Sequence, residues 1–207
     1  MSDESKQAKH NKRRRQILGA TLRLLRRHGA DITTAQIAEE AHCSKETLYN
    51  WFGDRDGIML ALVAEQARGM NEVLNSGFQN AEGNLEARLK AHCTLLLDIL
   101  TGEAVLVVNR VAMAQACADH SSLGTAVLAD WNEQVAKPFI NLFQEGNEAG
   151  EFAIHSADEA LENLIGLLVG DRQRRLLLGE IGARPNAEAM AAIAAKAVQR
   201  WMMLYGR

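Results

Sequence analysis

The chain has 207 residues, of which 47% are hydrophobic and 24% charged, a globular composition with enough sequence for a sizeable buried core. A net charge of −3 excludes a uniformly basic nucleic-acid coat, but the charge is uneven: residues 1–57 carry 11 Lys+Arg against 8 Asp+Glu, and residues 58–207 carry 12 against 18. A basic front on an acidic body is the asymmetry expected when one end meets phosphates, although a solvated basic tail gives the same count. Cys43, Cys93 and Cys117 lack the spacing of a zinc site or redox dithiol and suit a reducing cytoplasm. The polar start, Met1 to Arg15, has no apolar segment of a secretory signal, and the most apolar stretch, Leu95–Val108, is interrupted by Asp98, Gly102 and Glu103, so no membrane contact is expected.

Only two prolines and few β-branched runs point to an all-α protein of about nine helices. Residues 1–12 lack an apolar period and read as a disordered basic arm. A first helix is expected from Lys12, with Ile17, Thr21, Leu24, Leu25 and His28 on one face and Gly29 as its stop. Thr33 or Thr34 can cap a short second helix carrying Ile37, Ala38 and Ala41. Ser44 can cap a third that places Leu48 and Phe52 inward. Long helices follow over Arg55–Gly77, Leu85–Leu100, Glu103–Ala118, Ser122–Ala149 (bent at Pro138), Ala157–Gly179 after a Ser156 cap, and Ala187–Tyr205 after an Asn186 cap. The domain reading is an arm over 1–12, a unit of short helices over 13–57 and a unit of long helices over 58–207.

Three short helices joined by tight turns fit a helix-turn-helix, in which the second helix braces a third that enters the major groove. Ser44, Lys45, Glu46 and Thr47, then Tyr49 and Asn50, stand near the start of that third helix and offer hydroxyl, ammonium and amide groups to phosphates and base edges. The run from Thr33 to Phe52 resembles the helix-turn-helix of TetR-type repressors, T-x-x-x-I-A-x-x-A-x-x-S-x-x-T-L-Y-x-x-F, and Gly53 to Ile58 resembles the turn that follows. That resemblance implies phosphate contacts from Thr34 and Arg55, a groove face of Lys45, Thr47 and Tyr49 with Tyr49 on a phosphate, and a minor-groove approach by Lys12, Arg13, Arg14 and Arg15; Thr33 is a further DNA-binding candidate. It implies no cofactor, no metal and no catalysis. Glu46 and Trp51 depart from the commoner residues; a carboxylate there can accept from a cytosine amino group, and an indole N–H can donate to a phosphate. Tyr49 and Trp51 also suit a small core, and the arginine run also suits a solvated face. Cys43 reads as an inert turn residue.

The last helix is apolar on most of its circumference, which requires burial on two sides, either as a dimer seam or as a monomer core. Gly166, Gly170, Ala191, Ala194, Val198 and Trp201 are the candidate dimer residues, in line with the four-helix dimer interface that the TetR resemblance implies; the segment 166–179 is similar to the AefR-like subgroup. A small-molecule effector site is expected within the larger helical bundle, with His92, Asn109, Arg110, Met113, Cys117, Trp131, Phe139 and Asn163 as candidates that would look the same as core or surface residues. No nucleophile–base pair, H-E-x-x-H motif or glycine-rich phosphate loop is present, so the expected function is a dimeric, cytoplasmic, effector-released repressor of a pseudo-palindromic operator; the alternative is a dimeric helical scaffold without DNA binding.

Overall fold

A computed structural model of the chain describes residues 3–29, 31–65, 68, 84–117 and 122–207. The helices are α1 (Asp3–His28), α2 (Thr34–Glu40), α3 (Lys45–Phe52), α4 (residues 55–65), α5 (Leu85–Thr101), α6 (Glu103–Cys117), α7 (Ser122–Trp131), α8 (Lys137–Glu148), α9 (Ala157–Val169), α10 (Arg172–Leu177) and α11 (Ala187–Tyr205). Among the described residues the extended structure is one isolated bridge, Phe152 to Gly206. Two compact units divide the chain, Met1–Gln66 with Val107–Leu128, and Ala67–Leu106 with Ala129–Arg207. The second stretch of the first unit lies beyond the 13–57 boundary read from the sequence.

Three helix boundaries correct the sequence reading. The segment expected as a disordered arm is helical from Asp3, because residues 3–16 are mostly good helix formers without Gly or Pro and each added residue gains a backbone bond once the nucleus at Ile17–Leu25 is docked. The helix expected over Ser122–Ala149 is interrupted by a π-helical turn, Asn132–Ala136. Pro138 has no N–H and its ring crowds the carbonyl four residues back; the wider turn, with the Lys137 N–H bonded to the Asn132 carbonyl, carries the chain past it. The helix expected over Ala157–Gly179 breaks at Gly170, whose φ of +55° ends α9. The expected end of the fourth helix at Gly77, and of the sixth at Ala118, lie outside the described residues.

In the first unit, Ile17, Leu18, Leu24 and Leu25 of α1 meet Ile37 of α2, Leu48 of α3 and Ile58, Met59 and Leu62 of α4, joined by Val107, Val108, Val111, Ala112 and Leu123. Each such buried side chain contributes about 1.5–3 kcal/mol. Thr21 shares this interior at no polar cost, its hydroxyl donating to the Ile17 carbonyl at 3.0 Å. His28, expected on the same face, is exposed.

In the second unit α11 packs along α5 and α9. Trp201 lies at its centre with no exposed surface; its indole donates to the Ala160 carbonyl at 2.8 Å, and its ring stacks on Phe143 (5.0 Å) and meets the edge of Phe152 (5.3 Å). Ala194 and Val198 are equally enclosed. This corrects the expectation that these three residues form a dimer seam: a side chain wholly covered by its own subunit has no face for a second. Gly166, Gly170 and Ala191 are exposed.

Phe152 reaches the aromatic cluster because the chain end is tied beneath it: Ala153 N–H donates to the Tyr205 carbonyl (2.8 Å) and Arg207 N–H to the Glu151 carbonyl (3.0 Å). The Asn147 amide adds two bonds to the Ile154 backbone, 2.8 and 2.9 Å. The ring lies over Gly146 of α8, where a Cβ would stand 2.0 Å from Phe152 Cδ2. Gly146→Ala therefore destabilises by about 1–3 kcal/mol in urea unfolding, against the usual helix preference for alanine, whereas Gly124→Ala on α7, with open space around it, stabilises by about 0.5–1 kcal/mol. Equal effects of the two substitutions would refute this packing.

His92 is enclosed in the second core, its ring edge-on to Phe139 at 6.2 Å, and burial pushes its pKa down to about 4. The unfolded chain binds this proton near the ordinary value of about 6.5 and the folded chain does not, so stability falls as pH drops from 6.5 toward 4, by up to about 1.4 kcal/mol per unit. The Arg88 pair holds Glu145 below its usual range, which places its own loss at lower pH. Urea midpoints between pH 7 and 4.5 are expected to show the slope in the wild type and to lose most of it in His92→Met.

Candidate nucleic-acid interface

The geometry of α2 and α3 follows from how the backbone groups at their ends are satisfied. Thr33 opens α2 with a capping box: its hydroxyl accepts from Gln36 N–H (3.3 Å), and the Gln36 side chain accepts from Thr33 N–H (2.8 Å). At the other end, Cys43 N–H reaches back to the Ala38 carbonyl (2.9 Å) and His42 N–H to the Glu39 carbonyl (3.0 Å), the paired bonds of a Schellman stop. The stop requires a left-handed residue, and His42 takes it at φ +49°. Ser44 follows at once as the cap of α3, its hydroxyl accepting from Thr47 N–H at 3.1 Å and sharing a 2.9 Å bond with the Thr47 hydroxyl. Glu46 then sits in the first turn of α3, where the helix dipole favours a carboxylate.

This turn aims α3. Leu48 is buried against the core, while Lys45, Glu46, Tyr49 and Asn50 are exposed, Tyr49 by 52%. Positions 45 and 49, and 46 and 50, are one helical turn apart and form a continuous polar stripe. An ammonium, a phenol and an amide presented together on a helix of eight residues are the groups that bond phosphates and base edges.

Other expected contacts are spent inside the unit. Arg13 donates through Nη2 to the carbonyls of Ala41 (3.0 Å) and His42 (2.8 Å) and through Nη1 to Gln16 (3.1 Å). Arg14 lies over the Phe52 ring at 5.5 Å, and Arg15 pairs with Glu65 at 3.4 Å. Arg55 donates to the Ile32 carbonyl at 2.9 Å. Trp51 is half-buried with its ring 4.3 Å from that of His10, and Thr34 is half-buried at the start of α2. The basic run thus bonds the turn and neighbouring helices of its own unit. Sequence reasoning missed Arg23 and Arg27, which grip Glu40 at 3.0 and 3.4 Å and hold α1 to α2, lowering the Glu40 pKa chiefly through the Arg23 hydrogen bond. Their spacing of four and the acidic residue in the next helix were the available signal. Burial pushes the Cys43 thiol up, away from thiolate chemistry.

Residues 17–62 match the description "Bacterial regulatory proteins, tetR family", and residues 87–207 match "AefR-like transcriptional repressor, C-terminal domain". The chain belongs to the TetR family of transcriptional regulators. A TetR transcriptional regulator from Agrobacterium tumefaciens is 35% identical over 93% of this chain and 94% of its own, with a TM-score of 0.75. A putative TetR-family regulator from Mesorhizobium loti, 22% identical, shares the fold at a TM-score of 0.83 over 95% of this chain and 98% of its own. The regulator BetI of Brucella anthropi is 34% identical over 71 residues; the match spans 34% of this chain and 37% of that relative.

The residues proposed from the sequence for an effector fall in both units: His92, Trp131, Phe139 and Asn163 in the second, Asn109, Arg110, Met113 and Cys117 in the first. His92 and Phe139 are core neighbours, Trp131 packs at the edge of that core, and exposed Asn163 donates to the Tyr205 hydroxyl at 2.7 Å. Asn109 is half-buried, whereas Arg110, Met113 and Cys117 are exposed on α6. A separate cleft of about 370 Å³ lies between α5 and the start of α11, lined by Thr94, Asp98, Arg184, Asn186 and Met190, none of them among the effector candidates read from the sequence. Among the described residues no cluster of His, Cys, Asp or Glu is placed to hold a metal ion, and no single helix is long and apolar enough to cross a membrane.

A non-glycine residue in the left-handed region costs about 1 kcal/mol. His42→Gly is expected to raise the unfolding free energy by roughly that amount, read as a higher urea midpoint at unchanged slope. A lower midpoint would show that the His42 side chain stabilises the turn more than its backbone strains it.

Proposed function

We propose that this TetR-family chain acts in the cytoplasm as a homodimeric, non-enzymatic repressor that grips a pseudo-palindromic DNA operator with two copies of α3 and is released by a small-molecule effector. The observation that carries the reading is the exposed stripe Lys45, Glu46, Tyr49 and Asn50 on a capped helix whose opposite side, at Leu48, is locked in the core. Two such helices spaced by one DNA turn, roughly 34–36 Å, read successive half-sites. Exposed Gly166 on α9, Gly170 at its end and Ala191 on α11 support an isologous contact between copies. The family assignment supports release by an effector, which acts by binding one arrangement of the dimer better than the other. A scaffold without DNA binding leaves the polar stripe on α3 without a role.

Selection of bound duplexes from a random pool, followed by fluorescence anisotropy at several salt concentrations, tests this. A recovered sequence with two-fold symmetry and a steep loss of affinity with salt is expected. Lys45→Ala should weaken binding and make the slope of log affinity against log salt shallower by about 0.9; Tyr49→Ala should weaken binding by about tenfold with helicity and dimer intact. Unchanged affinity in both variants would refute α3 as the DNA-reading element.

A further inference from the structure

We propose that Arg13 is a positioning residue for operator recognition: it fixes the α2–α3 turn, and through it the angle at which α3 is presented, without touching DNA. The inference rests on the DNA-binding reading above and assigns sequence discrimination to a residue behind the interface. The two carbonyls that Arg13 takes, Ala41 and His42, are the last oxygens of α2 and its stop; beyond them only Cys43 separates the turn from Ser44, the cap of α3. These oxygens carry the negative end of the α2 dipole, so a cation there is favourable as well as hydrogen-bonded. The guanidinium bridges the two oxygens through Nη2 while Nη1 holds Gln16, a rigid two-nitrogen fork that the single nitrogen of a lysine ammonium does not reproduce.

The clamp also acts where the backbone needs help. His42 holds φ +49°, a conformation that a residue with a side chain adopts at a cost, so the turn resists drifting only while its neighbours hold it. Arg13 ties it to α1, which is anchored to the core from Ile17 onward and to the far end of α3 by the His10–Trp51 and Arg14–Phe52 ring contacts. Both Nη2 hydrogens are engaged by the two carbonyls and Nη1 is bonded to Gln16, so turning the guanidinium toward a phosphate would break the clamp. Arg13 therefore belongs with the device that orients α3, and Lys45 with the groups that meet phosphate.

The two roles differ in a measurable way. A phosphate contact contributes equally to every duplex and to the salt slope, whereas a positioning residue contributes to the preferred sequence alone. Full-length Arg13→Met and Arg13→Lys are compared with wild type by anisotropy on the selected operator and on a scrambled duplex, across a salt series, with helicity and dimer mass as controls. Arg13→Met should lose about tenfold on the operator, little on the scrambled duplex, and leave the slope unchanged. Arg13→Lys, which keeps the charge but not the fork and is the milder change to the fold, should also lose operator affinity. A Lys variant at wild-type affinity together with a Met variant whose slope is shallower by about 0.9 makes Arg13 a phosphate contact and overturns the proposal, as do two variants with unchanged operator affinity. A wild type that selects no sequence overturns the DNA-binding reading and this one together.

Discussion

Between Ala41 and Ser44 the backbone must end one helix, reverse into a left-handed residue and start another, leaving no polar group stranded. Bonds from His42 and Cys43 close α2, the Ser44 hydroxyl opens α3, and the Arg13 guanidinium takes up the carbonyls between them. With so few residues and so many fixed partners, the angle between α2 and α3 has little freedom. The exposure of Tyr49 and the burial of Leu48 on the same two turns of helix both follow from that angle. A looser turn would keep the composition of α3 and lose its aim.

Electrostatics around this turn differ from what a charge count suggests. Residues 1–57 have a basic excess, yet Arg13, Arg14, Arg15, Arg23, Arg27 and Arg55 are directed at carbonyls, an aromatic ring or carboxylates of their own unit. Surface ion pairs of this kind are individually weak, and their use here is geometric: they stitch α1 to α2 and α4, so that the small core is held by long side chains as well as by apolar burial. The cation placed on the stripe of α3 is Lys45, and Lys12 stands exposed on α1. On the proposed reading, phosphate attraction rests on fewer groups than the sequence advertises, and discrimination depends more on how α3 is held.

The local signals in the sequence translated directly into structure. Thr33, Ser44, Ser156 and Asn186 all cap the helices assigned to them, and Gly29 and Gly150 take positive φ where helices were expected to stop. Such features depend on a few neighbouring residues. Partners distant in sequence were not legible: an arginine spans several ångströms, and whether it meets a phosphate, Phe52 or the carbonyl of Ala41 is decided by tertiary placement. α11 posed the same difficulty. A helix apolar on most sides reads alike as dimer seam and as core, and only the enclosure of Ala194, Val198 and Trp201 separates the two. The candidate effector residues divide between the two units, His92 and Phe139 buried with each other in the second and Arg110 and Met113 exposed on α6 in the first, a division that no local pattern announces.

Hydrogen–deuterium exchange with and without a selected duplex tests most directly whether α3 is the DNA-reading element. Peptides covering 44–52 should gain protection when DNA is added, with those covering the exposed sides of α9 and α11 unchanged. Protection confined to other surfaces, with 44–52 exchanging at the same rate in both states, would contradict it.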